Sequence, residues 1–333
     1  MPASIHPPAL ALLNAYQRDF PLEPEPFAEI SARQGKSAGE VLECFRRAQE
    51  SGLLSRIGPV FAPGRAGAST LAALAVPPQD LERVAEIVSA YPEVNHNYAR
   101  EHRYNLWFVV TAAEAAALAR VLDELRRQTG LPLLDLPMIE GYHIDLGFDL
   151  AEAGVKRRLV VDGVPGRPDP LDTPARALLG ALQAGLPLVP RPFELIAARL
   201  GSTEQAVLAQ LRAWLANGLI KRFGVVVRHH ELGFAANAMV VWNVADGEAG
   251  ERGRALATLP WVTLCYRRPR RLPDWPHNLF SMIHGRDRAT VLAQVEEAAQ
   301  SCGLAANERA VLFSTRRFKQ RGAYYQVAEA GHA

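Results

Sequence analysis

The sequence predicts an α+β protein formed by tandem duplication of one unit, a winged helix-turn-helix followed by a ferredoxin-like α/β sandwich. Three observations predict this class. Residues 26–58 align without a gap on residues 192–224, an offset of 166 residues. Each copy opens with helical hydrophobic spacing and continues with alternating strand and helix patterns. The chain of 333 residues also exceeds the roughly 250–300 residues that a single core supports.

The repeat extends into the second part of each copy. The identical pairs of the first window include Pro26/Pro192, Phe27/Phe193, Ile30/Ile196, Gly35/Gly201, Val41/Val207, Leu42/Leu208, Arg46/Arg212 and Gly58/Gly224. Further on, Tyr98/Tyr266 and Arg100/Arg268 match at an offset of 168, and Asn105/Asn278 at an offset of 173. The second copy therefore carries an insertion of five residues between these positions.

The duplication sets the domain boundaries. A segment rich in Pro, Gly and Asp, VPGRPDPLDTP, indicates a linker between the copies. The predicted domains are a winged helix-turn-helix at 1–63, a ferredoxin-like domain at 64–150, a linker at 151–173, a second winged helix-turn-helix at 174–232 and a second ferredoxin-like domain at 233–333.

The helix-turn-helix elements are clearest in the second copy. DTPARALLGALQAG predicts a helix with Asp172 or Thr173 as N-cap and Pro174 at its first position. RPFELIAARLG predicts a short helix that ends at Gly201. TEQAVLAQLRAWLANG predicts a third helix, capped by Ser202 or Thr203. LIKRFGVVVRH then predicts the wing strand.

The ferredoxin-like elements are clearest in the first copy. STLAALAVP predicts a strand and QDLERVAEIVSAYP a helix. VNHNY and YNLWFVVT predict a hairpin around AREHR, AAEAAALARVLDELRRQTG a second helix, and LLDLPMIEGYHIDL one final strand. This β-α-β-β-α-β order is that of a ferredoxin-like sandwich.

Composition excludes several classes of protein. The apolar runs are far shorter than the roughly 20 residues that cross a bilayer, and the N-terminal segment lacks the features of a signal peptide. Cys44, Cys265 and Cys302 form no paired framework, which favours the cytoplasm. Nucleotide-binding glycine motifs and metal-binding Cys/His spacings are absent. The formal net charge is +2, so no overall field predicts a nucleic-acid partner.

A helix-turn-helix joined to such a sandwich resembles the Lrp/AsnC family of transcriptional regulators. The similar text is ISARQGKSAGEVLECFRRAQESGLL and IAARLGSTEQAVLAQLRAWLANGLI. A recognition helix should present basic and amide side chains to DNA. The candidate helices instead present Glu40, Glu43 and Glu204 near their starts. A regulator with a tetrapyrrole effector site therefore stays as the alternative.

The unusual residues lie on the predicted hairpins. The first copy places His96, Tyr98, Arg100, His102, Tyr104 and Trp107 within twelve positions, and the second places Tyr266, Arg267, Arg268, Arg270, Arg271, Trp275 and His277 in the corresponding region. The copies differ at key positions, because His96 aligns with Leu264 and Tyr104 with His277. Unequal half-sites suit an enzyme that acts on an asymmetric substrate.

The strings HNYAREHRYNLWFV, CYRR…WPHNLFSMIHG and GLIKRFGVVVRHHELGFAANAMVVW resemble the siroheme decarboxylase family, of the type that fuses D-like and L-like units. The resemblance covers essentially the whole chain. It implies a non-oxidative carboxy-lyase of haem biosynthesis and denitrification, which removes the acetate carboxyls on rings C and D of siroheme to give didecarboxysiroheme and CO₂. It implies no cofactor besides the substrate's iron, possible related subunits or a homodimer, and neither DNA nor membrane as partner.

The residue chemistry fits such a substrate. Arginine forks bind carboxylates, aromatic side chains can line a slot for a flat ring, and histidine can donate the proton that replaces CO₂. The expected catalytic residues are His96, His102 and Tyr98. The expected substrate-binding residues are Arg100, Arg103, Tyr104, Trp107, His229, His230, Tyr266, Arg267, Arg268 and His277. Trp107, Phe108, Phe280 and Tyr98 are expected to line the slot. Whether a given histidine donates a proton or ligates the substrate iron stays open.

Overall fold

The structure is a computed structural model, and it describes residues 7–62, 64–144, 171–227, 236–323 and 325. The duplication predicted from sequence is present, and the two repeats use the same order of elements. The predicted linker lies outside the described residues as far as residue 170. Among the residues that the structure describes, no helix has both the length and the apolarity needed to cross a membrane.

The helices and strands follow the order that the sequence predicts, except at the end of the first repeat. The first repeat contains α1 (Pro7–Ala15), α2 (Pro26–Gln34), α3 (Ala38–Glu50), β1 (Leu54–Phe61), β2 (Ala68–Leu74), α4 (Leu81–Ala90), β3 (Val94–Arg100), β4 (Leu106–Ala112), α5 (Ala115–Thr129), β5 (Leu133–Pro137) and β6 (Glu140–Ile144). The second repeat contains α6 (Thr173–Leu182), α7 (Pro192–Arg199), α8 (Glu204–Ala216), β7 (Ile220–Val227), β8 (Ala236–Trp242), α9 (Ala249–Ala257), β9 (Val262–Arg267), β10 (Leu279–Gly285), α10 (Arg288–Ser301) and β11 (Arg309–Gln320).

The helix boundaries follow from local capping chemistry. The side chain of Asp172 accepts a hydrogen bond of 2.8 Å from the N–H of Ala175 at the start of α6. At the start of α8, the hydroxyl of Thr203 accepts a bond of 3.2 Å from the N–H of Ala206. Side-chain acceptors at these positions satisfy amide groups that have no partner inside the helix. Asp172 and Thr203 are thus the caps among the pairs predicted from sequence.

The two helix-turn-helix units form one body. Their wing strands β1 and β7 pair antiparallel, with Gly58 opposite Gly224. A Cβ atom at Gly224 would lie 2.3 Å from the carbonyl oxygen of Gln17, so this close approach requires glycine. The buried residues of both units belong to one hydrophobic cluster. The pairing of the wings therefore joins the two repeats at the helix-turn-helix end.

Each ferredoxin-like half has the expected strand order, and the two halves are joined into one nine-stranded sheet. The order is β5-β2-β4-β3 in the first half and β11-β8-β10-β9 in the second. In each half this places the fourth strand beside the first and the third between the first and second. The first half of β11 pairs with β8 and its second half with β3, while β6 pairs with β9. Each repeat therefore contributes a strand segment to the half-sheet of the other.

The prediction of one final strand over LLDLPMIEGYHIDL was wrong. The structure divides this stretch into β5, which pairs with β2, and β6, which pairs with β9 of the other half. Between them the N–H of Ile139 donates a hydrogen bond of 2.8 Å to the carbonyl of Arg267. The strand-like apolar spacing continues through the break because both parts are β-strands. The sequence pattern therefore does not mark where the first strand ends.

The sandwich has helices outside and a packed layer between its two half-sheets. One cluster joins β2, β4, α4 and α5 of the first half, and another joins β8, β10, α9 and α10 of the second. A third cluster draws on both half-sheets and includes Trp107, Met239 and Phe280. The inner faces of the half-sheets are thus covered by each other.

One pair of equivalent asparagines, Asn105 and Asn278, stabilises this arrangement. Asn105 accepts from the N–H of Val76 at 2.9 Å and donates to its carbonyl at 2.8 Å. Asn278 makes the same two contacts with Val244, at 3.0 and 2.9 Å. The sequence aligned these asparagines, and the structure gives them one role: each holds its hairpin to the chain that leaves the first strand of its own half.

We expect Asn278→Ala to lower the free energy of unfolding by about 1–3 kcal/mol, because it leaves the buried N–H of Val244 without its acceptor, while the carbonyl of Val244 keeps a hydrogen bond from Arg270. Denaturant unfolding followed by circular dichroism measures this change. Gln128→Ala, which removes an exposed amide bonded to Glu124 on α5, should change stability by less than about 0.5 kcal/mol. Equal effects of the two substitutions would contradict the role given to Asn278.

Candidate functional site

The two hairpin turns meet at one end of the sandwich. The first turn, 101–105, joins β3 to β4, and the second, 268–278, joins β9 to β10. An ion pair of 3.4 Å links Arg103 of the first turn to Asp274 of the second. Because the turns are equivalent in the two repeats and contact each other, they lie on the pseudo-twofold axis that relates the repeats. A site formed there occurs once per chain.

Trp275 lies at the centre of this end. It is 1% exposed, and its ring contacts the rings of residues from both repeats. The ring centroids lie 5.0 Å from His277, 5.1 Å from Trp107, 5.5 Å from His102, 5.9 Å from Tyr104 and 6.1 Å from Phe280. The structure thus brings together His102, Tyr104, Trp107 and His277, four of the residues predicted from sequence.

The half-buried His102 has a defined hydrogen-bonding arrangement. Its Nδ1 accepts a hydrogen bond of 3.0 Å from the N–H of Tyr104. Nδ1 therefore carries no proton, and the neutral ring has its proton on Nε2. Burial, together with the charge of Arg103, lowers the pKa of His102. The ring is consequently neutral at pH 7, and its Nε2–H is the donor available to a ligand.

His277 lies in the second repeat, on the same turn as Trp275, and is 5% exposed. Burial lowers its pKa to about 4, the charge of Glu308 opposes the change, and His102 and Arg270 add to it. Nδ1 of His277 and Nε1 of Trp275 are both buried and have no hydrogen-bond partner among the described residues. A buried polar group without a partner costs about 1–3 kcal/mol. Two such atoms in adjacent rings fit a site that is completed by a polar ligand.

His96 and Tyr98 lie further along β3 from the hairpin turn, where Tyr98 is opposite Trp107 of β4. His96 is half-buried opposite Gln320 of β11, and its ring centroid is 6.3 Å from that of Tyr98. Burial and the neighbouring charge of Arg56 lower the pKa of His96 to about 4. His96 precedes Arg100, at the hairpin end, by four positions along β3, roughly 13 Å at about 3.3 Å per residue. The structure therefore does not place His96 beside His102.

The hairpin arginines mostly have partners within the protein. Arg100 is buried and donates to the carbonyl of Leu312 in β11 at 3.0 Å. Its equivalent Arg268 is also buried and donates to the carbonyl of Leu136 in β5, and its guanidinium lies 4.5 Å from the ring of Tyr266. Each of these arginines thus holds the strand of the opposite repeat. Their role in binding substrate stays a prediction.

Arg267 and Arg270 share one carboxylate. Arg267 lies 3.2 Å from Asp246 and Arg270 lies 2.5 Å from it. A hydrogen bond from Arg270, the charges of both arginines and a hydrogen bond from Asn278 lower the pKa of Asp246. Arg103, paired with Asp274, and the exposed Arg271 remain at the rim of the hairpin end. Among the hairpin arginines, Arg103 and Arg271 are therefore the ones exposed to solvent.

The aromatic residues predicted to line the slot do not all lie on one face. Trp107 and Phe280 are buried in the layer between the half-sheets, whereas Phe108 lies on the opposite face of β4, against α4 and α5. The assignment of Phe108 to the slot was wrong, because successive strand residues point to opposite faces. Trp275 covers Trp107 and Phe280 instead.

Sequence reasoning gave no role to three residues near the predicted ones. Trp275 was named in the hairpin cluster of the second copy, but it was not among the expected catalytic or substrate-binding residues. Arg56 of β1 lies near both His96 and the buried Tyr325. Burial and the charge of Arg56 lower the pKa of His96, whereas burial raises the pKa of Tyr325 to about 12 against the opposing charge of Arg56. The signal for Arg56 was its alignment with Arg222 in the repeat; Tyr325 had none. His229 and His230 lie outside the described residues.

Comparison with known families covers both parts of each repeat. A family model described as the AsnC-like ligand binding domain matches residues 65–143 and 231–319. A second model, described as the siroheme decarboxylase NirDL-like HTH domain, matches residues 10–54 and 175–221. The matched segments follow the duplication predicted from sequence, and they support the Lrp/AsnC-like fold.

Individual relatives match over nearly the whole chain. A siroheme decarboxylase NirDL subunit of Paracoccus denitrificans is 44% identical over 317 residues, which cover 94% of this chain and 96% of the relative. A siroheme decarboxylase NirH subunit of Paracoccus pantotrophus is 42% identical over 155 residues, covering 46% of this chain and 94% of the relative. The crystal structure of the siroheme decarboxylase NirDL in co-complex with an iron-uroporphyrin III analogue superposes with a TM-score of 0.70 at 28% identity, covering 96% of this chain and 93% of that one.

The buried His277 predicts a pH-dependent stability. Its pKa of about 4 in the folded chain lies below the unfolded value of about 6.5, so the unfolded chain binds more protons as the pH falls through this window. Stability should therefore fall from pH 6.5 towards pH 4, and His277 alone should contribute about 2–3 kcal/mol of this loss at pH 4.5. Chemical unfolding of the protein and of His277→Phe between pH 7 and 4.5 measures it. Equal slopes in both proteins would contradict the burial of a neutral His277.

Proposed function

The chain belongs to the siroheme decarboxylase family, and we propose that it removes the acetate carboxyl groups on rings C and D of siroheme, giving didecarboxysiroheme and CO₂. The observation that carries this proposal is the match over nearly the whole chain to a NirDL subunit. The junction of the two hairpin turns supports it, because it places His102 and His277 from different repeats around one aromatic floor. We propose that the substrate binds at this junction.

The proposed reaction is a non-oxidative decarboxylation. The bond between the acetate methylene carbon and its carboxylate breaks, and CO₂ leaves without the bonding electrons. The conjugated ring delocalises the electron pair left on the methylene carbon, which then takes up one proton to become a methyl group. No oxidant or reductant is required, so the protein must bind carboxylates, exclude water and supply one proton per acetate.

His102 and His277 are suited to supply those protons. Both rings are neutral in the unliganded chain because burial lowers their pKa. A carboxylate bound next to an imidazole raises its pKa again. Substrate binding therefore favours the imidazolium form that can act as acid. Two histidines in one site can serve two acetates of a macrocycle without its release.

His96 and Tyr98 form the second part of the proposed catalytic set. Their ring centroids lie 6.3 Å apart on β3, and His96 lies near Arg56, so a carboxylate that reached His96 would meet the same combination of a guanidinium and a neutral imidazole. Because His96 lies roughly 13 Å along β3 from the hairpin end, we propose that it acts on a different part of the substrate, or in a different step, than His102. Arg103 and Arg271 at the hairpin rim are proposed to bind peripheral carboxylates as planar forks.

We further propose that the enzyme uses no cofactor beyond the iron that siroheme carries. The cytoplasmic location remains part of the proposal and rests on the three cysteines, all of which are unpaired. The NirH relative supports a proposal that the chain works with related subunits, with a homodimer as the alternative. The product would feed haem biosynthesis, including the haem used in denitrification.

The alternative function, a transcriptional regulator, has less support from the geometry. Arg46 of α3 donates a hydrogen bond of 3.1 Å to the carbonyl of Leu188 in the other helix-turn-helix unit. Arg212 of α8 donates 2.6 Å to the carbonyl of Leu22 in the first. These equivalent arginines of the two candidate recognition helices therefore join the units to each other.

We expect the purified protein, mixed anaerobically with siroheme, to yield first a monodecarboxylated and then a didecarboxylated product by mass spectrometry, with no added cofactor. A chelator such as EDTA should not change the rate. Unchanged siroheme, with a related decarboxylase active in parallel, would contradict the proposed function.

We expect His102→Ala and His277→Ala each to lower kcat by at least roughly 100-fold, the range for loss of a general acid. Separate rates for the first and second decarboxylation, from single-turnover experiments, would show which acetate each histidine serves. His284→Gln, outside the hairpin junction, is the matched control and should retain activity. Full activity of both hairpin variants would move catalysis to His96.

We expect no shift of duplex DNA by the protein in gel electrophoresis at physiological salt, because Arg46 and Arg212 of the two candidate recognition helices are bonded to the opposite helix-turn-helix unit. Binding of the phosphate backbone alone would weaken steeply as salt is raised. A complex that persists at physiological salt and depends on sequence would favour the regulator.

A further inference from the structure

The insertion in the second repeat builds a small hairpin that carries Trp275 across to the first repeat. The N–H of Arg271 donates 2.8 Å to the carbonyl of Trp275, and the N–H of Trp275 donates 2.7 Å to the carbonyl of Arg271. Asp274, on the same hairpin, pairs with Arg103 of the first repeat at 3.4 Å. The first repeat lacks these five residues, so it has no equivalent of Trp275 on its own turn.

The indole has firm support beneath it. Its floor is formed by Trp107 and Phe280, which are 2% and 0% exposed and belong to the layer between the half-sheets. A ring supported by fully buried neighbours on both half-sheets has little freedom to move, since protein interiors are close-packed. The indole of Trp275 is therefore held in a fixed position relative to the residues that contact it.

His102 of the first repeat and His277 of the second both contact the indole of Trp275. The plane of His102 is inclined by 80° to that of Trp275, and the plane of His277 by 78°. His102 is held a second time through the N–H of Tyr104. The two imidazoles thus meet the same indole edge-to-face at nearly the same angle, although they come from unrelated positions of the repeat.

We propose that Trp275 is a positioning residue that fixes His102 and His277 at a set spacing, so that one bound macrocycle meets a proton donor for each of two carboxyl groups. The indole also excludes water from both imidazoles, and it thereby holds them neutral until an anionic substrate arrives. Removal of the indole leaves both histidines in the chain but loosens their spacing and hydrates them. The proposal rests on the function proposed above.

A purely structural role for Trp275 makes a different prediction. A buried tryptophan that only fills space would, when replaced, lower stability without changing the titration of the histidines. Trp242 offers the matched control. It is fully buried in the second half, its Nε1 donates 3.2 Å to the hydroxyl of Ser281, and it lies in the cluster against α9 and α10.

The test compares Trp275→Leu, Trp275→Phe and Trp242→Phe with the unmodified protein. We expect Trp275→Leu to lower kcat by at least roughly tenfold, because a shift of about 1 Å in a catalytic group can cost more than that, while KM changes less. The pKa values of His102 and His277, measured by NMR without substrate, should rise towards about 6.5. Trp275→Phe keeps an aromatic ring at the position and should restore most of kcat.

Trp242→Phe should lower the thermal stability while leaving kcat and both histidine pKa values unchanged. If Trp275→Leu lowers only the thermal stability, as Trp242→Phe does, the positioning role is wrong. The NMR titration separates the two proposals. If the unmodified protein does not convert siroheme, the proposed function fails; if it does, and Trp275→Leu leaves kcat and both titrations unchanged, the positioning proposal alone fails.

Discussion

The exchange of strands between the two repeats is the constraint on which the remaining structure depends. β11 begins on its own half-sheet and ends on β3 of the other, while the chain after β5 passes onto β9 as β6. Backbone hydrogen bonds therefore cross between the repeats on both sides of the second half-sheet, and Arg100 and Arg268 bind the carbonyls of Leu312 and Leu136 in the opposite repeat. This interlock fixes the two hairpin turns against each other.

Within that symmetric frame the chemistry is unequal. The asparagine and arginine pairs of the hairpins are the same in both repeats and have structural contacts in both. The histidines differ: the first repeat supplies His102 and the second supplies His277 together with Trp275. Duplication thus kept the residues that hold the hairpins and changed those that face the junction. An asymmetric macrocycle with several carboxylates is a suitable ligand for such a site.

The sequence predicted the elements well and their partners less well. Internal repetition and capping residues located the helices, including the caps at Asp172 and Thr203, because these signals are local. It could not show that LLDLPMIEGYHIDL divides between two sheets, since strand pairing is non-local. Arginines that looked like carboxylate forks proved to be bonded to backbone carbonyls in part, as the pattern of a strand does not show what lies opposite. The position of Trp275 depended on how an insertion folds back.

A structure of the chain with a bound iron tetrapyrrole tests the central claim most directly. We expect one macrocycle per chain at the junction of the hairpin turns, with carboxylates within hydrogen-bonding distance of His102 and His277 and the ring edge towards Trp275. A macrocycle bound instead beside His96, with no contact to the hairpin turns, would contradict the claim that the two repeats share one site on their pseudo-twofold axis.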